Sequence, residues 1–238
     1  MNCLLAFAAG GRHMQLRPFA TFQGWRRFAG EVGIIVLGVL IALGAQQVVD
    51  TINQQRQLRE LRAAVDQEIA YGLGTLDART VQRPCFEARL DELDRWLVSW
   101  RKGEPLVLPG PISAPRSGPA GKSVWEGRDA GILSNMPLQD KLAYGAIYDQ
   151  LANYEVQRLD ERMTWLELAE YDGAQKLDES SMMRLRGLIT RARWRGSNIH
   201  ANAEFITGMA GHIGIRMQSD RFPPGQYAEL CRPILPKG

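Results

Sequence analysis

Residues 28–49 read FAGEVGIIVLGVLIALGAQQVV, and how this stretch is read decides the rest of the chain. Val32 to Ala45 is a run of fourteen residues with no charge and no strongly polar group. As a helix rising about 1.5 Å per residue, the 28–49 segment spans ~33 Å, close to the ~30 Å hydrocarbon core of a bilayer. Ile34 to Leu43 is apolar on every face, whereas a helix on a soluble surface keeps a polar stripe. One acid, Glu31, falls near the start, where the headgroup region tolerates it better than mid-membrane. Trp25 and the Arg26-Arg27 pair lie just ahead, matching an interfacial aromatic and a basic flank. These features predict a transmembrane helix over 28–49. A buried core helix is the competing reading, and the missing polar stripe speaks against it. A cleaved signal peptide is a weaker rival, because no small-residue cleavage motif follows and helical patterning continues directly.

Outward from this segment the charge is uneven. Of the 238 residues, 1–27 carry Arg12, Arg17, Arg26 and Arg27 and no acid. From Asp50 onward there are 25 Lys/Arg and 25 Asp/Glu, so the net +3 of the chain owes nothing to its larger part. That balance argues against nucleic-acid binding, which wants a basic domain face, so no nucleic-acid partner is expected. A short basic tail over 1–27, with Arg56, Arg59 and Arg62 diluted by Asp50, Glu60 and Asp66 on the other side, predicts a cytoplasmic N-terminus. The domain from 50 onward is then expected in the periplasm of a bacterium, with the anchor in the inner membrane. Met14 is an alternative start to Met1, since Asn2 to Gly10 is mildly apolar without a leading charge.

The cysteines are Cys3, Cys85 and Cys231. Their spacing excludes a local CxxC redox or zinc motif. In an oxidising compartment Cys85 and Cys231 are expected to form a disulfide, closing a loop worth about 2–5 kcal/mol in the chain-entropy model. The alternative is two unrelated buried thiols.

Beyond the membrane segment the patterning is helical nearly everywhere. Leu58, Leu61, Val65, Ile69, Gly72 and Leu76 recur at steps of three and four, so one helix is expected to run on to about Thr80 before Arg83-Pro84 interrupts it. Phe86, Leu90, Leu93, Leu97 and Trp100 predict a second helix whose polar face carries Glu87, Asp91, Glu92, Asp94 and Arg95. Residues 103–123 hold five prolines and are rich in glycine; they read as a long surface connection. Ser123 and Glu126 suggest a capping box for a short helix ending near Asn135, and Pro137 an N1 residue for the next. Leu138, Leu142, Tyr148, Leu151, Ala152, Val156, Leu159, Met163 and Leu166 give an apolar seam to about Tyr171. Its last five members follow the 4-3-4-3 spacing of packed helix pairs. A final seam runs from Met182 to Met217, with a break expected near Gly196-Ser197. Residues 221–238, with four prolines, read as an extended or loosely docked tail. The expected fold is all-α: one N-terminal transmembrane helix continuing into an antiparallel helical bundle over 50–220.

EVGIIVLGVLIAL (Glu31 to Leu43), with its lead-in WRRF, resembles the start of a group of bacterial single-pass membrane proteins with no assigned activity. Their helix follows the pattern E-x-x-(I/L)-(I/V)-x-x-G-(V/I)-L-I-A-L. VWEGRDAGILSNMPLQDKLAYGAIYDQL resembles their second block through Trp125, Ala130-Gly131-Ile132-Leu133, Leu142, Tyr144, Tyr148 and Leu151. The resemblance covers about 60 residues. It implies a membrane anchor and a helical domain, and no functional residues carry over.

No GxSxG, HExxH, P-loop or GxGxxG pattern occurs, so no catalytic residue, cofactor or enzyme activity is expected. His200, Glu204 and His212 share a helix, but HxxxE is common by chance and no metal site is expected. Arg184, Arg186, Arg191, Arg193 and Arg195, with Trp194, form a basic run that reads first as a solvated or ion-paired face, and second as a lipid-headgroup contact. Gly38 and Ala42 form a small-xxx-small pair suited to helix pairing in a bilayer. The favoured binding position is the turn holding Trp125, Arg128 and Asp129, where a pocket between helices could be walled. The leading functional expectation is a non-catalytic, membrane-anchored domain that binds another envelope protein or itself as a homodimer. The alternative is a periplasmic small-molecule sensor or binding bundle. An exposed apolar seam would favour the first.

Overall fold

In a computed structural model of the chain, residues 23–104, 106–108, 110–218 and 228–235 are described. The expectations for the tail before Gln23, including Cys3 and Met14, and for 221–227 and 236–238 lie outside them. Every regular element among the described residues is a helix: α1 (Gln23–Thr80), α2 (Arg83–Arg101), α3 (Ser123–Glu126), α4 (Ala130–Ser134), α5 (Leu138–Ala169), α6 (Glu179–His212) and α7 (Ala228–Cys231). The chain divides into two compact units, one through Asn53 and one from Gln54.

In the first unit, α1 buries nothing. Every residue from Gly24 to Asn53 is exposed, including Ile34, Ile35, Leu40 and Ile41. Its most apolar window has a mean hydropathy of 2.3, making α1 long and apolar enough to cross a membrane.

In the second unit α1 acquires a buried face. Val65, Ile69, Ala70, Leu73 and Leu76 are sequestered, the 3.6-residue periodicity placing them on one side. Pro84 stands in the first turn of α2, where its missing N–H costs nothing. That helix stops at Gly103, whose φ of +74° is the left-handed conformation a helix terminus reserves for glycine. The Gly103 and Glu104 amides donate to Trp100 and Ser99 carbonyls, satisfying the end of the helix.

The core has two parts. One joins α1 to Tyr144, Ile147, Tyr148 and Leu151 of α5 and to Ile199, Ala203 and Ile206 of α6. The other joins Phe86, Leu90, Leu93 and Trp96 of α2 to Trp165 and Leu168 of α5, and to Leu185, Leu188 and Ile189 of α6. Thus α5 and α6, the most extensive helix pair, run through both. They are tied by Arg184 to Glu170 (3.2 Å), Arg195 to Thr164 Oγ1 (2.6 Å) and Asn202 to the Gln150 carbonyl (3.4 Å).

Several expectations change. α6 has no break at Gly196: a Cβ there would lie 2.1 Å from Phe86 Cζ, so this glycine admits an aromatic ring and the helix continues through it. Residues 123–135 form two short helices rather than one. Pro137 is the N-cap of α5 and not its first residue. Glu92 is not on a polar face; it is 7% exposed and accepts from the Ile234 amide at 3.2 Å. The connection from 103 to 122 is strapped down. Ile112 and Ala120 are buried, the Ile112 amide donates to Asp172 at 2.7 Å, and the Ala120 amide donates to Glu155 at 2.6 Å.

The largest change concerns α5. Of its expected seam, Leu138, Leu142, Val156, Leu159, Met163 and Leu166 are all exposed, from 50% for Leu159 to 70% for Leu138. Tyr148 and Leu151 alone among the seam residues are buried, beside Tyr144, Ile147, Tyr154 and Trp165, which belong to the other face. The helix buries a face in which aromatics stand with Ile147, Leu151 and Leu168, and leaves a purely aliphatic one outside.

Candidate functional site

The turn holding Trp125, Arg128 and Asp129 is built by a carboxylate from α1. Glu68 accepts from Ser123 Oγ at 3.0 Å, from the Val124 amide at 3.0 Å, from the Trp125 amide at 3.3 Å and from Tyr148 Oη at 2.7 Å. It therefore caps α3, whose N-cap residue Lys122 makes no capping bond of its own. The expected Ser123–Glu126 capping box is absent because Ser123 is turned to Glu68 and Glu126 is paired to Lys122. Burial pushes the Glu68 pKa up, but the Val124, Tyr148, Ser123 and Trp125 donors outweigh it, and the net shift is downward. Tyr148 is raised by burial and then by the Glu68 carboxylate it donates to.

The three residues of the turn have their chemistry engaged internally. Trp125 stacks on Tyr148 with ring centroids 5.0 Å apart and planes 4° from parallel. The Arg128 guanidinium lies 3.9 Å above the Trp125 ring and donates to the Trp125 carbonyl. Asp129 is the N-cap of α4, accepting from the Gly131 and Ile132 amides at 2.7 and 3.0 Å.

Cys85 and Cys231 are joined as a disulfide. Beside it sits an assembly that the sequence did not suggest. Arg89, 1% exposed, donates to the carbonyls of Pro111 (3.2 Å), Leu230 (3.1 Å) and Arg232 (2.6 Å). Burial lowers its pKa while Glu92 and Asp172 raise it. With Leu230, Ile234 and Leu235 each 4% exposed, residues 228–235 are firmly docked, not loose.

The basic run of α6 is largely ion-paired: Arg193 to Asp94 (2.8 Å) and Asp91 (3.1 Å), Arg184 to Glu170 (3.2 Å), and Arg195 to the Asp160 carboxylate (3.8 Å). His200 Nε2 lies 3.2 Å from Glu204 Oε1. Among the described residues no group of three or more His, Cys, Asp or Glu is arranged to hold a metal ion.

Two features remain uncommitted. One is the aliphatic stripe of α5. The other is a cleft of about 600 Å³ bounded by Ala78 of α1, Gln82 at the N-cap of α2, the 112–118 strap, and Arg158, Trp165 and Ala169 of α5. Beneath it Arg79 and Glu161, 3% and 2% exposed, form a two-pronged ion pair with Arg79 Nε donating at 3.0 Å. Compared with protein-family models, curated proteins and solved structures, the chain matches none.

Proposed function

We propose that the chain is a non-catalytic, membrane-anchored helical domain that mediates protein–protein interaction in the bacterial cell envelope through the exposed stripe of α5. The observation that carries this reading is that stripe. Leu138, Leu142, Ala152, Val156, Leu159, Met163 and Leu166 stand in heptad register along α5, and the helix buries its opposite face. A heptad seam in water is a surface built for another helix. The occupant is a helix with a matching seam, from another envelope protein or from a second copy of the chain.

Anchoring through 28–49 is supported by the complete exposure of that apolar stretch. Burial of such side chains is worth about 1.5–3 kcal/mol each, and lipid is the solvent that supplies it. The basic pair Arg26-Arg27 supports a cytoplasmic N-terminus. The Cys85–Cys231 disulfide supports a periplasmic domain, where such bonds persist. The rising α6 numbers that meet falling α5 numbers in the ties described above support an antiparallel bundle. Trp125, Arg128 and Asp129 are read as its scaffold. A second reading, binding of a small molecule, is favoured by the cleft.

The test is a photo-crosslinking amino acid placed at Leu159 or Met163 in the full-length chain in native membranes, with exposed Arg186 as control. A discrete adduct is expected from the two seam positions alone, and Val156→Glu should abolish it. Adducts of equal yield from Arg186, or none from the seam, would refute the reading. Alkaline carbonate should leave the chain in the membrane pellet.

A further inference from the structure

We propose that the cleft between the 112–118 strap and α5 is a binding site for an apolar-bodied anion: a carboxylate or phosphate carried on an aryl or acyl group. The cleft shares only Leu166 with the α5 stripe, and the inference stands without the α5 partner.

The walls set the body of the ligand. Ala78, Ile112, Ala114, Pro115, Trp165 and Leu166 supply apolar surface. A volume of about 600 Å³ lies within the ~300–1,000 Å³ typical of small-molecule sites.

The charges set its head. Four ionised groups line the cleft. Arg158 is already met by Glu155 at 2.8 Å, and Glu161 by Arg79. Arg116 and Arg162 also line it, stay exposed, and have no ion-pair partner among the described residues. Two uncompensated guanidiniums beside an apolar hollow favour an anion, and their planar forks match carboxylate or phosphate oxygens.

Trp165 also marks the site. Trp165 lines the cleft and is 1% exposed, yet its indole N–H has no hydrogen-bond partner among the described residues. A buried donor left unpaired costs about 1–3 kcal/mol.

The site is also fixed in advance. Gln82 grips the Arg116 backbone from both sides, its Nε2 donating to the Arg116 carbonyl at 2.7 Å and its Oε1 accepting the Arg116 amide at 2.8 Å. The strap therefore does not have to order itself on binding, which spares entropy. This grip uses the backbone of Arg116, leaving its side chain free for a ligand.

The experiment uses the full-length chain in phosphatidylcholine nanodiscs and a matched pair of probes, naphthalene-2-carboxylate and naphthalene-2-carboxamide. Saturable binding of the carboxylate is expected, with the isosteric amide weaker by roughly tenfold. Arg116→Gln combined with Arg162→Gln should collapse that preference to about one while leaving the melting temperature unchanged, because both side chains are exposed. Arg184→Gln on α6 should preserve the preference. The Trp165 indole N–H resonance, assigned with Trp165→Phe, should shift on titration of the carboxylate. Adding phosphatidylglycerol to the nanodiscs separates the sources. Competition with the probe identifies a lipid anion, and undiminished probe binding identifies a free one. No saturable carboxylate binding, or equal binding of the two probes in the wild-type chain, would overturn the proposal. So would a preference that survives the double substitution.

Discussion

Gly196 offers a sharp test of the packing, because adding one methyl group should have opposite effects at two positions of the same helix. At Gly196 the new Cβ would fall 2.1 Å from Phe86 Cζ and 2.6 Å from Cε1. Carbon atoms rest at about 3.5–4.0 Å, so the ring must retreat by roughly 1.4 Å or more. It has little room. Trp165 meets it edge-on at 5.8 Å, and the Arg79 guanidinium lies 4.9 Å from its centroid. Overpacking of this kind costs about 1–3 kcal/mol, against ~1 kcal/mol gained by replacing glycine in a helix. Gly196→Ala should therefore lose up to about 2 kcal/mol net, or up to ~8 °C in melting temperature for a chain this size. Gly187 lies in the same helix, exposed, with nothing within 4 Å of its would-be Cβ. Gly187→Ala should gain ~0.5–1 kcal/mol. The assay is thermal unfolding of the full-length chain in a mild detergent, followed by circular dichroism. Phe86→Leu should relieve part of the Gly196→Ala loss, since contacting residues are non-additive. If both alanine variants stabilise equally, Phe86 does not occupy the space assigned to it.

Other expectations follow from the ionised and covalent ties. Glu68 has a folded pKa below its ordinary value of 4.5, so its contribution is present above pH 4.5 and is lost as pH falls through the folded value. The stability gap between wild type and Glu68→Gln should narrow on acidification below pH 4.5, and a constant gap would contradict the assignment. Glu161→Leu leaves Arg79 buried and unpaired, and should cost about 3–5 kcal/mol in denaturant titrations. The double change Arg79→Met with Glu161→Leu should recover most of that loss. Reductant should lower the melting temperature of the wild-type chain but not of Cys85→Ser/Cys231→Ser, whose own loss should be about 2–5 kcal/mol.

How far the sequence could be read depended on whether one pattern or two competed in each element. In α1 and α6 a single apolar periodicity marks the buried side, and Val65, Ile69, Leu185 and Ile206 are buried as it requires. In α5 two faces compete. Leucine, valine and methionine mark one, while Tyr144, Tyr148, Tyr154 and Trp165 with Ile147, Leu151 and Leu168 mark the other, and the face carrying the aromatics goes inside. Tyrosine's polar tip conceals this in sequence, yet Tyr144 and Tyr148 donate to Asp66 and Glu68 and so go inside satisfied. The buried roles of Arg79, Arg89, Glu92 and Glu161 were hidden for the same reason: charged residues are buried only with partners, and those partners are distant in the chain. Gly196 resembled a helix breaker because the ring that needs its space belongs to α2. The cleft was invisible because its walls come from three separate segments.

The bond between Cys85 and Cys231 spans 146 positions, and Arg89, Glu92 and the α2 core all wait on the same distant segment. A ribosome adding ~5–20 residues per second makes α2 roughly 7–30 s before the stretch that seals it. During that interval Leu90, Leu93 and Trp96 lack the cover that Leu230, Ile234 and Leu235 later supply, and the Cys85 thiol is open to the wrong partner. A stop codon a few residues ahead of Cys231 would therefore be as damaging as one in the middle of a helix.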